Sequence, residues 1–281
     1  MPTNNAINAG GPGTAGHVLQ STVSGPPAYS TATYPATAST SGNVLTSDGT
    51  NFVSSALAST FTPNSVIRES DDFLSIFDFG TVGVSKLNWY NYANRYQPVT
   101  STLAHPGVIG AAQSASLSLI GLTSGSTFLS MMFLGGGAIS INYVLNVTTL
   151  STAGNRYATY IGFMGADSVS GLTAPTNGCY FSYVDNVNSG NWRINCTSAS
   201  TTTSTNTAVA ADTSYHNFGI TVNAAGTSVS FTIDGVAVGT IATNIPSTAI
   251  SPSVLVTGST PVAVIGALDL FYMTQTLTTP R

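Results

Sequence analysis

The chain has 281 residues, of which 6% are charged and 42% hydrophobic, with a formal net charge of −4. Globular chains average about 25% charged residues, so Ser, Thr, Asn and Gly here fill surface positions that Lys, Glu and Arg usually take. The 6 Lys and Arg are unclustered, which excludes the cationic face that nucleic-acid binding needs, and so thin a charge favours packing against like copies.

Met1-Pro2-Thr3-Asn4-Asn5 has neither a basic nor an apolar run, so no cleavable secretion signal is expected. Residues 1–65 read as a stalk or assembly arm rich in Ser, Thr, Ala and Gly, and up to Ile67 the only formal charge is Asp48. The arm carries one pattern twice, as Gly16-His17-Val18-Leu19-Gln20-Ser21 and Gly42-Asn43-Val44-Leu45-Thr46-Ser47. After each copy come a polar turn, an aromatic residue (Tyr29, then Phe52) and a run of small residues. Such a stretch buries too little apolar surface to offset its own backbone entropy. A repeated Val-Leu knob with an aromatic can instead become ordered against copies of itself. Val18, Leu19, Tyr29, Val44, Leu45 and Phe52 are therefore the expected assembly contacts, and the arm points to a fibre or filament.

The charge cluster Val66-Ile67-Arg68-Glu69-Ser70-Asp71-Asp72-Phe73 opens a second domain, residues 66–281. Within it, Trp89 to Tyr96 is the densest aromatic and amide segment. Read as one alternating strand, it turns Tyr90, Tyr92, Asn94 and Tyr96 outward. Aromatic faces stack on sugar C–H surfaces while Asn serves hydroxyls, which makes these four a carbohydrate-binding candidate. A core or subunit contact is the plainer reading of the same rings and is favoured over it. Thr127 to Leu145 lacks charge but is broken by Gly135-Gly136-Gly137. Beyond the glycines, Ile139, Ile141, Tyr143, Leu145 and Val147 alternate with polar residues, which is a half-buried strand and no membrane span.

Further along, Gly178 to Val184 and Trp192 to Ser198 form a hairpin candidate. A turn centred on Val187-Asn188 sets Cys179 opposite Cys196, about 4.5 Å apart at Cα and within disulfide reach. A staple and two buried thiols both remain open, and two cysteines without a nearby histidine do not make a metal site. Trp192 and Arg193 beside the turn are a second carbohydrate-binding candidate. Phe218/Ile220/Val222, Val229/Phe231/Ile233 and Val236/Val238 followed by Ile241 alternate as strands, with an Asp234-Gly235 hairpin turn between the last two runs. Many short strands without a helical stripe predict an all-β antiparallel sandwich, and roughly 210 residues suffice for one sizeable core.

No catalytic constellation is visible. Glycoside hydrolysis needs two carboxyls about 5 to 9.5 Å apart, yet Glu69 is the sole Glu, and the adjacent Asp71 and Asp72 point to opposite faces of a strand. Asp167, Asp185, Asp212, Asp234 and Asp269 are scattered, mostly at turns, where Asp is usual. A triad would have to draw on His17, His105 or His216, and neither a nucleophile elbow nor a phosphate loop accompanies them. The run Asp185-Asn186-Val187-Asn188 is the only cation-loop candidate and reads as a plain hairpin loop. The chain is expected to be no enzyme and to need neither cofactor nor metal.

From Asp72 onward the chain resembles the concanavalin A-like lectin/glucanase jelly roll of phage and bacterial surface proteins. The resemblance rests on Asp71-Asp72-Phe73, His105-Pro106-Gly107-Val108, Ile161-Gly162-Phe163 and Asn177-Gly178-Cys179-Tyr180-Phe181-Ser182-Tyr183. It continues through Asn191-Trp192-Arg193, Phe231-Thr232-Ile233-Asp234-Gly235 and Asn244-Ile245-Pro246. The Gly-x-Val-Leu-x-Ser pattern is similar to repeats of phage tail fibres. The resemblance implies two antiparallel sheets with a concave face. It also implies a homo-oligomeric, trimeric fibre or surface decoration of a phage-like particle, located on a virion or extracellular appendage. The implied partners are copies of itself, other virion or appendage proteins at the N-terminus, and host surface glycan. A filament subunit whose arm docks on the neighbouring copy is the alternative.

Overall fold

The computed structural model describes residues 17–20, 28–33, 43–47, 50, 52–56, 65–73, 89–91, 96–98, 102–111, 115–119, 132–165, 173–258 and 266–279. The chain divides into two units, Met1–Thr62 and Pro63–Arg281.

In the first unit, β1 (His17–Gln20) pairs with β2 (Ala28–Thr33), and β3 (Asn43–Ser47) pairs with β4 (Phe52–Ala56), both antiparallel. Each copy of the repeated pattern is therefore one hairpin. Val18 and Leu19 lie on β1, Tyr29 on β2, Val44 and Leu45 on β3, and Phe52 on β4. The register differs between the copies, with Leu19 opposite Tyr29 but Phe52 opposite Ser47. A two-stranded hairpin alone is marginal in water.

The second unit continues with β5 (Val66–Asp71), β6 (Trp89–Asn91), β7 (Tyr96–Pro98), β8 (Ile109–Ala111), β9 (Ala115–Leu119), β10 (Gly137–Val147) and β11 (Tyr157–Met164). Then come β12 (Gly178–Tyr183), β13 (Asn191–Ser198), β14 (Thr201–Ala210), β15 (His216–Val222), β16 (Val229–Ile233), β17 (Val236–Ile241), β18 (Ser251–Gly258) and β19 (Gly266–Leu277). An eight-stranded sheet runs β17-β16-β15-β10-β19-β8-β7, with β5 also paired to β19. A seven-stranded sheet runs β14-β13-β12-β11-β18-β9-β6. Every pairing in both sheets is antiparallel. The all-β sandwich expected from the sequence is the fold of the described residues, whose only helical element is a 3-10 turn at Asn188–Gly190.

The core fills the space between the sheets. Strand β10 alternates without a break, burying Ile139, Ile141, Tyr143, Leu145 and Val147. Facing it from the seven-stranded sheet are Ile161 and Phe163, Phe181 and Tyr183, and Trp192 and Ile194. Aromatic rings lock the two layers together: Phe181 meets Phe218 and Phe231 at 5.2 Å, and Trp192 meets Phe218 at 4.6 Å. Such edge-on pairs add to the burial of their area.

The Asp234-Gly235 turn joins β16 to β17 with both residues at positive φ, 52° and 77°, the type I′ geometry that tight hairpins need. Val236 differs from its expected inward place. It is exposed on the sheet's last strand, where the register shifts between Phe231 and Thr232. A second irregularity lies in β19, where Leu268 pairs with Leu145 and Leu270 with Val144. Asp269 is the extra residue of this bulge, which lets both Leu268 and Phe271 reach the core and re-aims the residue between.

Candidate functional site

Strands β12 and β13 build the site. Their register sets Cys179 opposite Cys196, Tyr180 opposite Asn195 and Ser182 opposite Arg193. Side chains alternate across a strand, so the cysteines, Trp192 and Ile194 enter the core while Tyr180, Ser182, Arg193 and Asn195 turn to the other face. There they line a groove of about 300 Å³ with Tyr160 of β11 and Thr202 and Ser204 of β14. The hairpin loop residues Asn186 and Val187 form part of the rim.

The floor is buried and aromatic. Tyr160 and Tyr180 meet edge to face at 5.6 Å, within a buried cluster that also holds Ala158, Met164 and Leu255. Burial, seconded by the neighbouring Tyr180, pushes the Tyr160 phenol well above the ordinary tyrosine range, so it stays neutral. Opposite Tyr180 in β11 stands Gly162, at φ 151°, where a Cβ would come within 2.4 Å of the Cys179 carbonyl oxygen and 2.7 Å of Ile220 Cδ1, so β11 and β12 pack closely there.

A hydrogen-bonded layer lies over this floor. The buried Asn195 amide donates to Ser182 Oγ at 2.9 Å and its Oδ1 accepts from Ser204 Oγ at 2.7 Å. Tyr180 Oη bonds Thr197 Oγ1, which in turn bonds Thr202 Oγ1, each at 2.9 Å. Arg193 is the one cation among the described lining residues. Its Nε is buried, and no group among the described residues accepts from it. The nearest acid along the chain, Asp185, is engaged elsewhere: Arg156 holds it through Nε at 2.8 Å and Nη2 at 3.0 Å, and Ser151 Oγ adds a bond at 2.9 Å. Those bonds, led by Arg156, keep the Asp185 carboxyl below its usual range.

A second polar cluster sits at the start of β15. His216 Nδ1 meets Asp234 Oδ2 at 2.6 Å, and its Nε2 meets Asp212 Oδ1 at 3.1 Å. Burial disfavours the charged ring, but the hydrogen bonds to Asp234 and Asp212 outweigh it and raise the His216 pKa. A ring with both nitrogens on carboxylates is not poised as a general base. Nearby, the bulge of β19 presents Asp269 to His105 Nδ1 at 2.8 Å, and His105 stacks on Tyr215 at 3.7 Å.

The sequence candidates fare unequally. Arg193 lines the groove. Trp192 does not: it is 1% exposed, packed between Tyr183 and Phe218, and presents no face to a sugar. The Trp89 to Tyr96 segment is not one strand. Tyr90 lies on β6 in the seven-stranded sheet and Tyr96 on β7 in the eight-stranded sheet. Tyr92 and Asn94 lie outside the described residues. Strand β6 is five positions from β13, roughly 24 Å at the usual strand spacing, so Tyr90 and Arg193 are not brought together. Cys179 and Cys196 face each other as the turn required, with Sγ atoms 3.0 Å apart and both thiols free and buried.

Tyr160, Tyr180, Ser182, Asn195, Thr202 and Ser204 were missed by sequence reasoning. The cysteine pair held the missing signal for three of them. With Cys179 and Cys196 inward, Tyr180, Ser182 and Asn195 must lie outward.

No protein-family model matches the chain, and no curated protein matches its sequence. Among solved structures, a protein of unknown function from Shewanella oneidensis MR-1 shares the fold, with a TM-score of 0.56 and 14% identity over 77% of this chain and 89% of that one. Looser matches include the Emp47p carbohydrate recognition domain, with a TM-score of 0.46 and 9% identity over 74% of this chain and 95% of that one. Endo-1,3-beta-glucanase from Streptomyces sioyaensis has a TM-score of 0.44 and 13% identity over 75% of this chain and 97% of that one.

Proposed function

We propose that the chain is a non-catalytic adhesion protein that binds glycan in the outer-face groove of its seven-stranded sheet. The observation that carries this reading is the composition of the lining. Hydroxyls, an amide and a guanidinium line the groove over the buried Tyr160 and Tyr180, and no Asp or Glu is among its described lining residues. Sugars are bound by such mixtures of apolar surface and fixed polar groups, whereas hydrolysing a glycosidic bond takes a pair of carboxyls.

The arm supplies assembly in this reading. Two hairpins that are marginal alone gain stability by packing against copies of themselves, which suits a fibre or surface decoration of a phage-like particle, exposed on a virion or appendage. A trimer is the expected oligomer.

Two measurements test the reading. The full chain is screened against immobilised glycans beside Ser204→Trp, which fills the groove from its exposed rim. Binding by the native chain, lost in the variant with its far-UV circular dichroism unchanged, supports the site. No glycan bound, or equal binding by both, overturns it. Light scattering on the full chain and on a chain starting at Val66 tests the arm. A discrete oligomer that becomes monomer without the arm supports the fibre. Open-ended polymer supports the filament subunit instead, and monomers in both overturn the assembly role.

A further inference from the structure

Within the glycan-binding reading, on which this step rests, we infer that the groove selects a sugar bearing a carboxylate, with Arg193 as the group that recognises it. Arg193 stands on β13 among Tyr160, Tyr180, Ser182, Asn195 and Ser204, and the described lining residues include no acidic side chain to neutralise it. A buried donor without an acceptor costs about 1–3 kcal/mol, and more when charged. Arg193 Nε is such a donor among the described residues. Asp185, next in chain to the rim residue Asn186, is occupied by the Arg156 fork and Ser151. Among the described residues, then, no acid pairs with the Arg193 charge.

The shape of the site narrows that ligand. A guanidinium offers a planar fork that matches a carboxylate with two parallel hydrogen bonds. A tetrahedral anion is better served by several backbone amides converging on it, and the amides of β12 and β13 are spent on their ladder. The neighbouring hydroxyls of Ser182 and Ser204 are placed for sugar hydroxyls, and a volume of about 300 Å³ is at the small end of ligand pockets. One or two sugar residues, one of them acidic, fit these limits.

The test measures binding of the full chain to a sialylated oligosaccharide and to a uronate oligosaccharide, each paired with its carboxyl methyl ester and joined by a sulfated neutral chain. The expected result is binding of at least one free acid, weakened roughly ten- to hundredfold in its ester and in Arg193→Gln, since bonds to a charged group are worth that much. Arg193→Lys, which keeps the charge but not the fork, recovers only part of it. Which acid binds identifies the source of the carboxylate. Neutral or sulfated chains bound as well as the acids, or Arg193→Gln without effect, overturn the inference. If Ser204→Trp still abolishes binding in that case, the glycan site stands and only its charge selectivity falls.

Discussion

Replacing Trp192 separates its place in the core from any role in binding, and the structure sets the size of each effect. The indole is 1% exposed and wedged against Phe218 and Tyr183. Truncating a buried Trp to Ala removes its packing and leaves a cavity, at about 3–5 kcal/mol. Trp192→Phe should behave differently. It gives up roughly two methylene equivalents of apolar burial, about 1.6 kcal/mol. It also removes the indole N–H, a buried donor with no acceptor among the described residues, which recovers about 1–3 kcal/mol. The two effects nearly cancel, so Trp192→Phe is expected to lie within about 1 kcal/mol of the native chain. Guanidinium chloride unfolding of the full chain, followed by far-UV circular dichroism at one protomer concentration, gives both numbers. If Trp192→Phe costs as much as Trp192→Ala, the indole N–H has a partner and the reasoning fails. A Trp192→Ala cost below about 1 kcal/mol, a value typical of surface sites, would remove the ring from the core altogether.

Oxidising the full chain should join Cys179 to Cys196, 17 positions apart, and stabilise it by about 3 kcal/mol, the value for a loop of this size. Burial and the neighbouring Cys196 hold the Cys179 thiol far above its ordinary pKa, so the reaction is slow in the folded chain. Peptide mapping without reductant that finds both thiols free after prolonged oxidation refutes this prediction. The His216 cluster sets a pH window. His216 is raised above its ordinary 6.5, so its contribution is full below that value and lost as pH rises through the folded pKa. Asp212 is held below its ordinary 3.8 by the Ser214 backbone N–H and by His216, so its contribution is full above that value and lost as pH falls through the folded pKa. Urea midpoints measured across pH should decline on both sides of this window, and His216→Gln should flatten the alkaline side; an unchanged alkaline decline assigns it to another group.

How much of this was legible follows from where each signal resides. The strands were readable because alternation is local: β10, β15 and β16 bury the residues their period-two patterns mark. The turn at Asp234-Gly235 was readable because few residue types tolerate its dihedrals. Strand order was not, since it depends on which distant segments pair. The break between β6 and β7, two strands of opposite sheets with four residues between them, leaves no mark in a segment so uniformly aromatic. The groove was half legible. Arg193 and its cross-strand partners follow from the cysteine register, but Tyr160 and Ser204 arrive from strands whose neighbours only the fold decides.

Trp192 and Arg193 show why the register of one hairpin carries both stability and the proposed binding site. They are adjacent, and alternation sends one ring into the core and one cation into the groove. Slipping β13 by one residue would exchange them. A guanidinium would then enter a space bordered by Phe218 and Tyr183, where an unpaired charge costs several kcal/mol, and an indole would block the groove. The same slip would turn Ile194 and Cys196 outward and bring Asn195 and Thr197 inward. Each of these costs acts against the slipped pairing, and the 3-10 turn at Asn188–Gly190 fixes the loop length that sets the native one. The hydrophobic pattern that folds the hairpin is therefore also what delivers Arg193 to the groove, so changes to the loop between β12 and β13 should damage binding and stability together.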